Sequence, residues 1–469
     1  MNVRQILAGV IVAGLFGCTS SEPGGRNESS GLAPGAGARV SVAQAPPSVR
    51  RTGSILGGGK IKYVVIIFQE NRSTDNLFNG LKGANTVSEG ENSAGDEIPL
   101  QSIPLTAPYD LDHSHPGFEI EYNGGAMNGF NLDVSSCRAG QRLCGGAKAL
   151  RAYAYVPQKE VEPYFTMAEE YAFGDEMFAT QAGPSFPAHQ YILSGTATIA
   201  QGSTLKASEN PLDPKQQFTG GCDSPAGTLV TVIDTYGTED QQVFPCFDRP
   251  SLPELLAAKS LTWRYYQASP GPGLWNGPDA IKNIRYGSQY STHVITPPSQ
   301  VLTDVKNGNL ATVVWVTPTA LESDHAGVTN GSGPDWVASV VNAVGESKYW
   351  DSTAIIVTWD DWGGWYDHVA PKQYNSFELG FRVPLIVISP YAKTAYVSHV
   401  QHEFGSILKF VEQVFSLGSL GTTDGRSDNL SDCFNFSQSP RAFKPIPTVL
   451  GPNYFLHEPN SNVSPDDDF

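Results

Sequence analysis

The chain has 469 residues, a net charge of −17 and an isoelectric point near 4.9. Hydrophobic residues make up 40% of it and aromatic residues 10%, enough for a sizeable core in one large domain or two ordinary ones. Because so acidic a chain repels a nucleic-acid backbone and its sequence contains no basic patch, we expect no nucleic-acid partner.

The first residues are typical of an exported bacterial protein. Arg4 precedes an apolar run over residues 6–16, which is too short to span a bilayer and stops just before Cys18. Residues 15–18, Leu-Phe-Gly-Cys, resemble a lipobox in which Cys18 carries a lipid, and ordinary cleavage with release is the alternative. We therefore expect a signal peptide over residues 1–18 and a periplasmic, cell-surface or secreted protein.

Composition divides the rest of the chain into three parts. Residues 19–59 are rich in Gly, Ser, Pro and Ala, which is typical of a flexible linker. Residues 60–450 are predicted to form the folded domain, with loop-rich insertions near 83–150 and 200–250. Residues 451–469 are predicted to form an acidic tail.

Five cysteines remain after Cys18. In an exported chain, close pairs favour disulfides, here Cys137 with Cys144 and Cys222 with Cys246. Cys433 is then unpaired, unless the pairing is different. None of the cysteines has the Cys-x-x-Cys spacing of a zinc site.

Strand patterns alternate with helix patterns along the domain. Apolar, β-branched runs predict strands at residues 63–68, 261–266, 311–316, 354–358 and 383–389. Amphipathic patterns predict helices at residues 156–178, 252–258, 336–349 and 403–415. This alternation indicates an α/β fold, a three-layer α/β/α sandwich with a central, mostly parallel sheet.

Polar side chains follow three of these strands. Glu70 and Asn71 come after the first, His325 lies in the loop after residues 311–316, and Asp360 and Asp361 follow residues 354–358. Open α/β sheets bind ligands at the carboxyl ends of their strands, and side-chain oxygens suit a hard cation. These residues predict a metal site, with a helix cap and an acidic surface turn as the alternatives.

Ser185 lies in the segment Gly-Pro-Ser-Phe-Pro over residues 183–187. Pro187 fits the first turn of a helix, which places Ser185 just ahead of a helix N-terminus, where backbone amides favour an anion. A serine so placed, close to a cation, can act as a nucleophile toward phosphorus. The alternative is a simple helix cap.

Two further histidines, His113 and His115, lie in the segment Asp-His-Ser-His-Pro. Either could serve as an acid or as a phosphate contact, and an ordinary surface pair is the alternative. His368 follows Asp360 and Asp361 in the sequence, and we expect it to have a structural or supporting role.

Five motifs in order resemble the bacterial phosphoesterase family, which includes phospholipases C and an acid phosphatase and belongs to the alkaline-phosphatase-like superfamily. They begin at residues 70, 183, 360, 380 and 405 and read Glu-Asn-Arg-Ser, Gly-Pro-Ser-Phe-Pro, Asp-Asp-Trp-Gly-Gly-Trp-Tyr-Asp-His-Val, Gly-Phe-Arg-Val-Pro and Gly-Ser-Ile-Leu-Lys-Phe-Val-Glu. The resemblance spans roughly residues 60–420 and implies an alkaline-phosphatase-like fold for the predicted catalytic domain.

The resemblance also implies the site residues. It implies one divalent metal ion held by Glu70, Asn71, Asp360 and Asp361, with Ser185 as the nucleophile that forms a phosphoseryl intermediate. An all-oxygen ligand set favours Mg, Ca or Mn. Zinc stays open, because superfamily relatives use it and His325 or His368 could join the set.

A histidine is expected to protonate the leaving group. His325 is the first choice for this catalytic role, and His113 and His115 are the alternatives.

The implied partner is a phosphate-ester substrate, with phospholipid as one candidate and membrane anchoring through the lipid on Cys18. A phospholipase C-like enzyme is the favoured interpretation, and a phosphomonoesterase of the acid-phosphatase type is the alternative. A non-catalytic surface lipoprotein that kept the fold is a third interpretation. It predicts a gap in the ligand set, which the sequence does not show.

Overall fold

The computed structural model describes residues 55–132 and 150–458. Its strands, in chain order, are β1 Tyr63–Gln69, β2 Glu89–Glu91, β3 Glu97–Pro99, β4 Gln101–Ser102, β5 Ala154–Tyr155, β6 Ala172–Gly174, β7 Lys206–Ala207, β8 Val230–Ile233, β9 Gln241–Val243, β10 Trp263–Tyr266, β11 Val294–Ile295, β12 Val313–Val316, β13 Thr353–Trp359, β14 Leu385–Ile388 and β15 Tyr396–Ser398.

The α-helices are α1 Thr74–Leu77, α2 His115–Tyr122, α3 Glu162–Glu170, α4 Ser185–Ser194, α5 Leu252–Ala258, α6 Gly277–Ala280, α7 Lys282–Arg285, α8 Tyr290–His293, α9 Gln300–Lys306, α10 Gly333–Gly345, α11 Phe404–Val414 and α12 Pro452–Phe455. Short 3₁₀ turns lie at Leu56–Gly59, Asn123–Gly125, Gln158–Glu160, Trp350–Ser352, Thr423–Gly425 and Ser431–Cys433.

Eight strands form the central sheet, in the order β11-β10-β12-β1-β13-β14-β6-β15. Strand β14 runs antiparallel to both of its neighbours, and the other neighbouring pairs are parallel. Strands β1 and β13 lie at its centre and are buried almost throughout, which is why their sequences are continuous apolar runs. The predicted mostly parallel sheet is confirmed.

Helices cover both faces of this sheet. Phe68 packs against Phe404 of α11, with ring centroids 5.7 Å apart. Gln69 is in register with Trp359, whose ring lies 5.1 Å from that of Tyr164 in α3. Since successive side chains of a strand point to opposite faces, α11 and α3 lie on opposite sides of the sheet. The predicted three-layer α/β/α arrangement is confirmed.

The predicted helix over residues 156–178 is wrong in its extent. Helix α3 begins at Glu162, with Pro163 in its first turn, and ends at Glu170. Tyr171 leaves the helical conformation at φ −128° and ψ −146°, and the chain then forms β6 between β14 and β15. Pairing with two strands distant in the sequence outweighs a local helical pattern that continues through Tyr171.

Two of the cysteine predictions are confirmed, and the others fall on residues that the structure does not describe. Cys222 and Cys246 form a disulfide, and Cys433 is buried and unpaired. Cys137 and Cys144 lie outside the described residues. So do Cys18 and the predicted signal peptide, together with most of the predicted linker and tail.

None of the helices within residues 55–132 and 150–458 combines the length and the hydropathy that a membrane span requires.

Candidate active site

The carboxyl ends of the two central strands bring predicted site residues together. Strands β1 and β13 are parallel and in register, so Glu70 and Asp360 leave the sheet side by side. Both side chains are buried, as is Asn71, whose backbone N–H donates to Asp360 Oδ1 over 3.0 Å. Glu70, Asn71 and Asp360 therefore meet at one edge of the sheet, as the sequence predicts.

A glycine allows the loops after these strands to approach each other. Asn71 adopts a left-handed conformation with φ 59°, and Gly363 has φ 61°. A Cβ atom on Gly363 would lie 2.3 Å from the carbonyl oxygen of Asn71, so a larger residue does not fit. The Gly363 N–H donates to Asp361 Oδ1 over 2.7 Å and fixes the orientation of that carboxylate.

Helix α4 brings Ser185 to the same place. Ser185 is the first residue of the helix, and its hydroxyl donates to Asp361 Oδ2 over 3.5 Å. The helix end offers fewer free amides than predicted, because the Phe186 N–H donates to Asn210 Oδ1 and Pro187 has no N–H. The hydroxyl of Ser185 thus faces a carboxylate that can accept its proton.

His189, one helical turn after Ser185, also points into this cluster. Its Nε2 lies 3.2 Å from Glu70 Oε1 and 4.0 Å from Asp360 Oδ2, and its Nδ1 lies 3.2 Å from the Tyr265 hydroxyl. His189 is not among the site residues predicted from the sequence. The spacing of four residues from Ser185, which places both on one face of a helix, is the signal that could have identified it.

The arrangement fits a divalent cation. Ligand atoms of Glu70, His189 and Asp360 lie within 4.8 Å of one another. Asp360 Oδ2 and Asn71 Oδ1 are buried and have no hydrogen-bond partner within the described ranges of the chain. Buried polar atoms are normally paired, and an ion between these oxygens would supply the missing partner.

The hydrogen bonds of His113 determine its protonation. Its Nδ1 lies 2.8 Å from the carbonyl oxygen of Leu111, and its Nε2 lies 3.0 Å from Asn71 Nδ2. A carbonyl only accepts and an amide nitrogen only donates, so Nδ1 carries the proton and Nε2 is the acceptor. His113 thereby holds the Asn71 amide with its oxygen facing away from the imidazole.

His325 has a different environment. Its Nδ1 donates to the carbonyl oxygen of Ala326 over 2.7 Å, and its Nε2 lies 3.8 Å from Asp110 Oδ2. The ring centroid is 6.0 Å from that of His113 and 6.4 Å from that of Trp275. The structure thus places His325 beside His113, with a carboxylate close enough to stabilise an imidazolium.

His115 contacts a separate group of residues. Its Nδ1 lies 3.3 Å from Glu239 Oε2, and its Nε2 lies 3.7 Å from Glu119 Oε1. Its ring packs against Phe377 at 5.4 Å between centroids. Glu119 belongs to α2 and Glu239 to the region after β8. None of these contacts of His115 involves Ser185, Asp360 or Asp361.

A second cluster contains three buried residues, Asp75, Asp367 and Arg382, together with the half-buried His368. Burial raises the pKa of Asp367 to about 6, although Arg382 donates to its Oδ1 over 2.8 Å. Burial lowers the pKa of His368, but Asp75, 2.6 Å from Nδ1, outweighs this effect and raises the pKa above its ordinary value. Because Arg382 already supplies positive charge to both carboxylates, this cluster is an ion-pair network.

Known proteins resemble the chain over most of its length. It is 24% identical over 447 residues to "Phospholipase C A" of Mycobacterium tuberculosis, covering 82% of this chain and 79% of that protein. It is 24% identical over 457 residues to "Non-hemolytic phospholipase C" of Pseudomonas aeruginosa, covering 85% of this chain and 60% of that one.

Among solved structures, a member of the alkaline phosphatase superfamily from Vibrio parahaemolyticus aligns with a TM-score of 0.33 and 10% identity. This alignment covers 78% of this chain and 70% of that one.

Residues 61–418 match the Phosphoesterase family. This match takes in all of the residues that meet at the sheet edge, from Glu70 to Asp361. The chain therefore belongs to the Phosphoesterase family, and it is a hydrolase that acts on phosphoric ester bonds.

Proposed function

We propose that the chain is a phospholipase C-like phosphoesterase that uses one divalent cation and a phosphoseryl intermediate. The observation that carries this proposal is the position of the Ser185 hydroxyl. It lies 3.5 Å from Asp361 Oδ2, in a loop cluster where Glu70 and Asp360 also converge.

Glu70, Asn71, Asp360 and Asp361 would hold the cation through side-chain oxygens. When bound, the ion neutralises charge on the phosphoryl oxygens and lowers the pKa of the serine hydroxyl. These residues are buried, and Glu70, Asp360 and Asp361 place three carboxylates close together. Such an arrangement needs a compensating positive charge.

Ser185 is the proposed nucleophile. Its oxygen forms a bond to phosphorus while the bond from phosphorus to the leaving-group oxygen breaks. The hydroxyl proton passes along the existing hydrogen bond to Asp361. Water then hydrolyses the phosphoseryl ester and releases phosphate or the phosphorylated fragment.

His325 is the proposed acid for the leaving group. Because Nδ1 donates to Ala326, Nε2 is the nitrogen that can carry the transferable proton. Asp110, 3.8 Å from Nε2, would stabilise the protonated ring. His113 accepts a hydrogen bond from Asn71 at Nε2, which suits a positioning role better than an acid role.

The names of the relatives support a lipid substrate, and the signal-peptide pattern supports an exported enzyme. Both bacterial relatives described above carry the name phospholipase C. With the signal-peptide pattern before Cys18, this supports a phospholipid substrate and a location outside the cytoplasm. A phosphomonoester is the alternative substrate, and an assay that compares the two kinds of ester distinguishes it from a phospholipid.

The test is hydrolysis of a phosphocholine ester lipid and of a chromogenic phosphomonoester, with and without a chelator. Released diacylglycerol supports the phospholipase C activity, whereas inorganic phosphate released from the monoester alone supports a phosphatase. Ser185→Ala should lower turnover by at least about 10³-fold. Ser194→Ala, at the other end of the same helix, should leave turnover unchanged.

Full activity of Ser185→Ala in the presence of chelator would refute the mechanism. Loss of activity in both serine variants would show instead that helix α4 tolerates no change.

A further inference from the structure

We infer that His189 is a direct ligand of the cation, so that its nitrogen joins the oxygen ligands and the site prefers zinc over magnesium or calcium. This inference rests on the proposed function, because it concerns the cation of the same site. It goes beyond the family resemblance, which implies oxygen ligands from Glu70, Asn71, Asp360 and Asp361.

The position of Nε2 is that of a ligand atom. It lies 3.2 Å from Glu70 Oε1 and 4.0 Å from Asp360 Oδ2. Bonds of about 2.1 Å from a metal to nitrogen and oxygen place neighbouring ligand atoms about 3 to 4 Å apart. Nε2 therefore lies at the distances from both carboxylate oxygens that a shared ion requires.

The other ring nitrogen is held as expected for a metal-bound histidine. The Tyr265 hydroxyl donates to the carbonyl oxygen of Trp275 over 2.9 Å, so its oxygen is available to accept from His189 Nδ1. The proton is then on Nδ1, and the lone pair of a neutral ring is on Nε2. Metal-bound histidines commonly donate their second N–H to such a partner, which fixes the tautomer.

The alternative is a protonated His189 that forms an ion pair with Glu70 and binds no metal. One N–H on Nε2 would reach Glu70, but Asp360 Oδ2 and Asn71 Oδ1 would still have no hydrogen-bond partner within the described residues. Arg72, the next cation along the chain, directs its guanidinium to the carbonyl oxygens of Asp324 and Leu105. A metal ion bound by Glu70, His189 and Asp360 would give Asp360 Oδ2 a partner, whereas the ion pair with Glu70 would not.

The surroundings of His189 favour a bond from its Nε2 to a metal ion. The ring is buried and lies between Phe68, 5.6 Å away, and Trp275, 6.4 Å away, measured between centroids. These rings hold the imidazole in place and limit the access of water. Imidazole nitrogen is a ligand for zinc and other transition ions, whereas magnesium and calcium prefer oxygen alone.

The experiment uses the full chain, stripped with chelator and loaded with one equivalent of zinc. X-ray absorption at the zinc edge counts the imidazole rings bound to the metal. His189→Gln is compared with wild type and with His399→Gln, a control whose histidine is 64% exposed and paired with Asp175.

We expect imidazole scattering from wild type and from His399→Gln, with one imidazole fewer in His189→Gln. The preference for zinc over calcium, measured by competition with a chromophoric chelator, should fall at least about 100-fold in His189→Gln. An unchanged spectrum and affinity in His189→Gln would overturn the inference and leave the proposed cation site standing. A wild-type protein that binds no divalent ion would overturn both.

Tyr265→Phe provides a second variant if His189→Gln does not fold. It removes the acceptor for Nδ1 but keeps the aromatic ring. Loss of this outer partner should weaken zinc binding about 10- to 100-fold. Unchanged zinc affinity in Tyr265→Phe would contradict the assigned tautomer and overturn the inference.

Discussion

His113 and His325 lie next to each other, and their hydrogen bonds distinguish their chemistry. The two ring centroids are 6.0 Å apart. His113 accepts from Asn71 at Nε2, so it has no proton there to give to a leaving group. The Nε2 of His325 instead lies 3.8 Å from Asp110 Oδ2, and it is the atom proposed to carry the transferable proton. At the scale of the residue, the two histidines are therefore expected to respond differently to substitution.

His325→Gln should slow the hydrolysis of esters with poor leaving groups by about 10² to 10⁴-fold, because such groups need a proton as they depart. Nitrophenyl esters, whose leaving group is stable without a proton, should be affected much less. The measurement is kcat/KM across a series of leaving groups. An equal loss for every ester would show that His325 does not act as the acid.

His113→Leu should weaken binding of the cation about 10- to 100-fold, because Asn71 loses the partner that orients its amide. His113→Gln keeps an acceptor in reach of Asn71 Nδ2 and should lose less. Both variants are compared by metal titration, followed by the leaving-group series. Unchanged metal affinity with a strong leaving-group effect would make His113 the acid instead.

The candidate site lies where the loops after β1 and β13 pack against each other, at the carboxyl ends of these strands. The loop after β1 carries Asn71 in a left-handed conformation, and the loop after β13 carries Gly363 against the Asn71 carbonyl. Because the two strands are parallel and in register, both loops leave the sheet at the same level. The loops can come this close together because residue 363 is a glycine and has no side chain.

Gly363→Ala should destabilise the protein and weaken metal binding. Gly421→Ala is a matched control, because Gly421 has a similar φ of 73° but no atom within 4 Å of a Cβ placed there. A left-handed alanine costs about 1 kcal/mol, and this is the loss expected for Gly421→Ala. Gly363→Ala should lose more than this in denaturant unfolding, since it adds a clash.

Only the Gly363 variant should change the metal affinity. Equal losses of stability, with metal binding intact in both variants, would show that the loops can separate without affecting the site.

At the scale of the whole molecule, several buried acids make stability depend on pH. Burial raises the pKa of Glu412 to about 8, of Asp279 to about 7 and of Asp324 to about 6. In the unfolded chain these groups titrate near about 4. The folded protein therefore keeps protons that the unfolded chain releases, and the stability due to these groups is lost as pH rises from about 4 to about 8.

Other carboxyl groups contribute stability that is lost as pH falls rather than as pH rises. Burial alone would raise the pKa of Asp428, but the hydrogen bonds from His402, Ser406 and the Leu430 N–H, with the attraction to His402, together lower it. Its contribution is present above about pH 4 and is lost as pH falls through the lower pKa of the folded state. Together the two groups of acids predict a stability maximum on the acid side of neutrality.

The free energy of unfolding should therefore be larger near about pH 5 than near about pH 9. Glu412→Gln should reduce this difference, because glutamine can still accept from the Leu420 N–H but does not ionise. Chemical denaturation across the pH range measures both proteins. A variant with the same pH dependence as wild type would show that Glu412 is not one of the groups responsible.

Much of the site could be predicted from local patterns. Residues 64–68 and 354–358 are apolar at every position, which indicates burial on both faces, and the acids directly after them mark the carboxyl ends of their strands. Ser185 could be predicted as well, because Pro187 indicates the first turn of a helix. These features depend only on neighbours within a few residues.

Other features depend on contacts between distant segments. The helical pattern through Tyr171 gives way to strand β6 because β14 and β15, more than 200 residues later, pair with that segment. The tautomer of His113 depends on Asn71, and the orientation of His189 depends on Tyr265. No local pattern contains this information.

Local patterns of residues are enough to predict the class of fold, the strands that end in polar groups and the family that the chain resembles. Contacts between distant segments are needed to show which histidine lies against Glu70 and Asp360 and which one contacts the Asn71 amide. Burial and propensity act along a single segment, whereas a hydrogen bond or a metal ligand depends on whichever distant side chain completes it.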